Sequence, residues 1–124
     1  MIAVDSSTLI AYIQGDGGTD TALLDQSISS NQLVLPPAVL TEVLSDPKLP
    51  SGHASLIRSL AVLELHDGYW LRAAETRAQI LARKLRARLA DTLIAQSCID
   101  HDVALIQRDG DFRHFAKHCG LKLA

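Results

Sequence analysis

Met1-Ile2-Ala3-Val4-Asp5-Ser6-Ser7 opens the chain with a pattern that defines an architecture. Ile2 to Val4 is a short apolar run that stops at a carboxylate. It reads as a buried strand, and Ser6 and Ser7 read as caps of a helix running through Leu9, Ile10 and Ile13. A short continuous apolar run, without alternation, fits a strand covered on both faces, as in parallel sheets.

The same unit recurs downstream. Gly15, Gly17 and Gly18 break the first helix, and a second is expected from about Thr19 to Ser30. Leu33-Val34-Leu35 is the next strand, stopped by Pro36-Pro37, with Pro37 suited to the first position of a helix. That helix carries Val39, Leu40, Val43 and Leu44 on one face with Glu42 at its edge, and Asp46-Pro47 ends it. A short helix is expected near 54–60, then a strand at Val62-Leu63-Glu64-Leu65. A long helix follows from about Tyr69 to Leu85, with Leu71, Ala74, Ala78, Leu81, Ala82 and Leu85 in phase. Leu89-Ala90-Asp91-Thr92-Leu93-Ile94-Ala95 starts another helix, whose stripe includes Leu89, Ala90, Leu93, Ile94 and Cys98. Ala104-Leu105-Ile106 is a further strand leading to Arg108-Asp109-Gly110-Asp111-Phe112. A short helix and a last strand at 121–123 close the chain. Strands alternating with helices predict an α/β fold, a mostly parallel sheet with helices on both faces, in one domain spanning 1–124.

In such sheets ligands bind beyond the carboxyl ends of the strands. Asp5 and Asp109 fall at those ends, and Glu42 and Asp91 lie on helices nearby. Taken alone, Asp91 reads as a helix cap first, and Glu42 equally well as a solvated helix residue. Four carboxylates from four segments, however, imply one acidic pocket, and such a pocket would repel itself without a cation. Oxygen-only donors suit Mg2+ or Mn2+. Such an ion activates water near neutral pH and stabilises charge on phosphoryl oxygens, so phosphodiester cleavage needs no catalytic Ser, Cys or His.

A substrate bearing phosphates calls for cations near that pocket. Six of the 12 Lys and Arg residues lie between Arg72 and Arg88, where Glu75 is the one acid. On a continuous helix, Arg72, Arg83 and Arg86 line one flank and Arg77, Lys84 and Arg88 the other. Arg108 and Arg113 flank Asp109. A solvated helix face is the alternative meaning of such a run. The net charge of −2 excludes a protein coated in positive charge, so any nucleic-acid contact must be local. Aromatic content of 4% argues against extensive base stacking. Cys98 and Cys119 suggest neither a disulfide framework nor a zinc knuckle. The start lacks a basic leader and no apolar run is long enough to cross a bilayer, so a cytoplasmic protein without membrane contact is expected.

Together, Asp5-Ser6-Ser7, Leu35-Pro36 leading to Glu42, Leu89 to Ala95 and Arg108 to Phe112 resemble a PIN-domain ribonuclease of the VapC-like class, the toxin half of toxin–antitoxin pairs. The resemblance covers nearly the whole length and rests on order and spacing more than on any one motif. It implies a three-layer α/β/α sandwich, Mg2+- or Mn2+-dependent RNA cleavage, homodimerisation and a cognate antitoxin. Residue by residue, it assigns Asp5, Glu42, Asp91 and Asp109 to the acidic set, with Asp5, Asp91 and Asp109 on the metal. Asp111 matches a supporting acid, and Ser7 a hydroxyl that supports the first Asp. Arg83, Lys84, Arg86, Arg88 and Arg108 are the candidate RNA contacts. Ser6, Gln107 and Arg88 stand where Thr, Thr or Ser, and Gly are common, which touches supporting hydrogen bonds and the substrate path but removes no carboxylate.

Two other classes fit parts of the pattern. A metal-dependent phosphatase with an aspartyl nucleophile often has a second Asp two residues after the first, where this chain has Ser7. A PIN-fold module that binds RNA or protein without cleaving would keep the fold and lose turnover. Gly15-Asp16-Gly17-Gly18 is a turn and not a phosphate loop, since no Gly-Lys-Ser or Gly-Lys-Thr follows. His114 and His118, at i and i+4, read as a surface helix, because Phe115 stands where a metalloprotease needs Glu.

Overall fold

A computed structural model describes all 124 residues. Four short strands, β1 (Ile2–Val4), β2 (Leu33–Leu35), β3 (Ala61–Val62) and β4 (Ala104–Ile106), form one sheet in the order β3-β2-β1-β4, and every pair is parallel. Seven helices flank it: α1 (Ser6–Ile13), α2 (Thr19–Ser29), α3 (Pro37–Leu44), α4 (Ser51–Ser59), α5 (Tyr69–Ala82), α6 (Leu89–His101) and α7 (Arg113–Cys119). The result is a three-layer α/β/α sandwich, as the strand–helix alternation predicts. Ala3, Val4, Leu35, Leu105 and Ile106 are essentially inaccessible, so the central strands are covered on both faces and their unbroken apolar runs are explained.

The structure differs from the expected pattern in four places, each with a physical reason. First, α1 is capped by Asp5 and not by Ser6 or Ser7: Asp5 Oδ1 accepts the Thr8 N–H at 3.0 Å, and both serines already lie in the first turn. Second, β3 is shorter and earlier than Val62–Leu65. It is an edge strand with both residues exposed, and the Leu63 N–H still donates to Leu35 O at 2.9 Å before the chain peels away. Third, the final segment makes only a bridge, Leu123 beside Leu105, and not a full strand.

The fourth difference moves charge. Helix α5 ends at Ala82 rather than Leu85, in a hydrogen-bonded reverse turn: Lys84 N–H donates to Leu81 O at 2.9 Å and Leu85 N–H to Ile80 O at 3.3 Å. This is a Schellman stop, with Lys84 in the left-handed position at φ +60 that glycine usually fills. The buried stripe of α5 is Tyr69, Ala73, Thr76 and Ile80, out of phase with the expected one, and Leu71 is 73% exposed. Arg86 and Arg88 therefore leave the helix and ride the connector into α6, where Arg77 Nε holds Ala87 O at 2.9 Å.

Helix α6 is the most enclosed helix, with Thr92 and Ile94 to Cys98 all buried. It packs against α3, α5, α7 and β4, so its N-terminal turn is rigidly placed relative to the sheet.

Candidate active site

The carboxyl ends of β1 and β4 lie side by side: Val4 pairs with Ile106, and the Asp5 N–H donates to Ile106 O at 3.0 Å. Asp5 thus leaves the sheet where β4 delivers the loop carrying Asp109. Its Oδ1 caps α1, and its Oδ2 accepts the Ser7 hydroxyl at 2.7 Å. Burial still pushes the Asp5 carboxyl above its ordinary range; the bonds from Ser7 and Thr8 oppose that, and the Asp109 charge adds to it. Glu42 projects from α3, exposed, and accepts the Ser6 hydroxyl at 2.8 Å. The first turn of α1 therefore touches two of the acids.

Asp91 is the third residue of α6. The cap position belongs to Arg88, which contributes no side-chain cap bond, so the N-cap reading of Asp91 is set aside. Partial burial pushes its carboxyl up to about 6. The Asp111 charge adds to this, Arg88 opposes it, and Glu42 and Asp109 add further repulsion. Asp91 is electrostatically coupled to three other acids, and Asp5 to Asp109. The structure therefore brings Asp5, Glu42, Asp91, Asp109 and Asp111 to one end of the sheet.

Asp109 and Asp111 ride a loop tied down at both ends. Gln107 Oε1 accepts the Gly110 N–H at 2.8 Å, closing the turn, and Gly110 takes φ +75, where a side chain would be strained. Phe112 is buried beside Phe115 with ring centroids 6.2 Å apart. Truncating Phe112 to Ala would cost about 3–5 kcal/mol and free the loop that presents both acids.

The model of the PIN domain matches residues 2–118. The chain belongs to the PIN domain family. PIN domains are generally nucleases and typically use divalent metal ions. No curated protein matches the chain. Among solved structures it is similar to a chain in the crystal structure of VapBC2 from Rickettsia felis bound to a DNA fragment from their promoter. The TM-score is 0.77 at 18% identity, over 100% of this chain and 98% of that one, a likeness of fold.

The acids of this PIN domain offer only oxygen donors, which fits a hard divalent cation. No three His, Cys, Asp or Glu side chains converge closely enough to chelate an ion at one point. The set therefore suits an ion that keeps several waters and takes one or two carboxylates directly, as Mg2+ does.

Beside the acids lies a cleft of about 120 Å³ that no hydrophobic residue lines. Asp91 and Asp111 line it together with Arg86, Arg88, Arg113 and His114. Arg86 and Arg88 reach it from the connector that follows the Schellman stop at Lys84. Arg83 instead sits near His118 and Cys119 on α7, and Lys84 occupies the turn itself. Arg108 is engaged elsewhere: its Nε and Nη2 grip Asp20 at 2.8 and 3.1 Å, and Nη2 also reaches Gly17 O at 2.9 Å.

Four side chains at this end escaped the sequence reading as site residues. Arg113 was visible only as a neighbour of Asp109, and His114 read as a surface helix residue. Thr8 and Asp20 carried no signal, because the partners that matter to Asp20 lie 12 and 88 residues away.

Proposed function

We propose that this PIN domain is a Mg2+- or Mn2+-dependent endoribonuclease, the toxin of a toxin–antitoxin pair. The observation that carries the reading is Asp91, part-buried and raised by burial and then by the charges of Asp111, Glu42 and Asp109, in a cleft that Arg86, Arg88 and Arg113 also line. Carboxylates crowded this way favour a cation, and a phosphodiester fits between that cation and the arginines.

Asp5, Asp91 and Asp109 are the residues that would hold the ion, one or two of them directly and the rest through its waters. When bound, the ion supplies an activated water and neutralises charge developing on the phosphoryl oxygens. Ser7 fixes one oxygen of Asp5 and the Thr8 N–H the other, so its orientation is set before any cation arrives. Glu42, held by Ser6, is poised to accept a proton from water at Oε2, the oxygen that Ser6 leaves open. Asp111, which lines the same cleft, is a supporting acid beside Asp91. Arg86 and Arg88, with Arg113, bind the substrate's phosphates; Arg83, Lys84 and Arg108 stand farther from that role than their charge implies.

Two partners belong to the proposal. An exposed apolar strip on α5 and α6 comprises Trp70 at 65%, Leu81 at 46% and Leu89 at 59% exposure, with Ala74, Ala78 and Leu93 in the groove between. Contiguous exposed apolar surface marks an interaction site, and we assign it to a second copy of this chain in a two-fold dimer. Trp70→Glu is expected to convert the dimer to a monomer in light scattering. A cognate antitoxin is the second partner, by likeness to the Rickettsia felis VapBC2 structure.

The alternative is a PIN-fold module that binds RNA or protein without cleaving. Incubating purified protein with structured and unstructured RNA in Mn2+, Mg2+ and chelator separates the two. Cleavage that needs the metal and disappears in Asp91→Asn supports the nuclease. Binding without cleavage in either metal supports the silent module.

A further inference from the structure

Asp20 lies outside the acidic set, at the second position of α2, yet it touches two segments that carry set members. Its Oδ2 accepts both Arg108 Nε at 2.8 Å and the Thr8 hydroxyl at 3.0 Å, and its Oδ1 accepts Arg108 Nη2 at 3.1 Å. Thr8, with no exposed surface, in turn donates its backbone N–H to Asp5 Oδ1 at 3.0 Å. Arg108 immediately precedes Asp109 in the chain. The side chain of Asp20 is only 12% exposed.

The surrounding backbone is shaped for this grip. Gly18 has φ +151, and a Cβ there would stand 2.6 Å from Asp20 Oδ1 and 3.0 Å from Arg108 Nη2. Any other residue at 18 would push into the fork between carboxylate and guanidinium. The bidentate geometry fixes direction as well as distance, which a lysine at 108 would not do.

We propose that Asp20 is a positioning residue that orients two of the acids at once, Asp5 through Thr8 and Asp109 through Arg108. The inference rests on the reading of those acids as metal ligands. Partners behind metal ligands hold them in register, and losing one typically weakens metal binding about 10–100-fold.

The sign of one variant separates positioning from plain electrostatics. Arg108→Gln removes a positive charge next to Asp109 and leaves Asp20 unneutralised, so charge alone predicts tighter cation binding. Positioning predicts weaker binding, because Asp109 loses its tether and Asp20 its clamp. The test is calorimetric titration of Mn2+ into the purified full chain at neutral pH. Wild type is expected to bind, Arg108→Gln about 10-fold more weakly, and Asp20→Asn about as weakly as Arg108→Gln. The double variant is expected to show no further loss, since both residues act as one unit. Arg108→Lys keeps the charge without the fork and should fall between wild type and Gln; it serves in its place if the Gln variant does not fold. Mn2+ binding by Arg108→Gln equal to or tighter than wild type overturns the positioning role and leaves the metal site standing. Wild type that takes up no Mn2+ overturns both.

Discussion

Helix α6 carries an acid near each end, and the two have opposite fates. Asp100, near the carboxyl end, is gripped by Arg72 through Nε at 3.0 Å and Nη2 at 2.6 Å, with Gln96 adding a bond at 2.9 Å. The Arg72 guanidinium holds its carboxyl below the ordinary range. Asp91, nine residues earlier, has no salt-bridge partner; burial and then neighbouring acids push its carboxyl up to about 6, with Arg88 opposing only in part. One helix therefore joins a completed polar network to α5 with an uncompensated one at the sheet's end. Uncompensated charge costs stability, so its persistence points to a ligand that completes it.

The sharpest contrast should come from exchanging each acid for its amide. Asp91→Asn is expected to reduce metal-dependent RNA cleavage by about 100-fold or more, since it removes a residue that would hold the ion neutralising the developing charge. Asp100→Asn should leave cleavage within a few-fold of wild type and lower the melting temperature by several degrees, because Arg72 loses its fork partner. Equal losses of cleavage in the two variants would erase the distinction between the ends.

The pH dependence of stability should also differ in sign. Asp91 titrates at about 6 in the folded chain and near 3.8 when unfolded, so the folded state binds the proton more tightly. That contribution is fully present below about pH 3.8 and is lost as pH rises through about 6. Asp100 behaves oppositely: its contribution is present above the unfolded value and is lost as pH falls through its lowered folded one. In chelator, Asp91→Asn should therefore be more stable than wild type at pH 8, by roughly 1–2 kcal/mol after allowance for solvent screening. The gain should shrink towards pH 4 in a melting series. A smaller effect is expected across the cleft, where Arg113→Gln should raise the KM for RNA about 10-fold and leave kcat near wild type. A fall in kcat alone would move Arg113 from substrate binding to the chemistry.

Much of the frame is legible in the residues. Ile2–Val4, Leu33–Leu35 and Ala104–Ile106 are central strands, and their apolar runs carry that fact locally. Ala61–Val62 is an edge strand with exposed side chains, so composition says little about where it starts. The phase of α5 is not legible because Leu71 and Leu81 are apolar yet face outward, Leu81 in the strip proposed for the second copy. That Asp5 and Asp109 meet is legible because the ends of neighbouring strands lie together in a parallel sheet. The tie from Asp20 to Arg108 was not, since pairing across 88 residues leaves no local trace. Nor was the turn at Lys84, where a left-handed residue that is not glycine stops the helix.

Thermal melting of wild type and Asp91→Asn at pH 7.5, with and without saturating Mn2+, tests the uncompensated end most directly. A ligand present at about 100 times its Kd stabilises the folded state by about 2.7 kcal/mol. Wild type should show a clear upward shift in melting temperature, and Asp91→Asn, already relieved of repulsion, should show little. An equal Mn2+-induced shift in both proteins would mean that the ion binds elsewhere, and that Asp91 is not among its ligands.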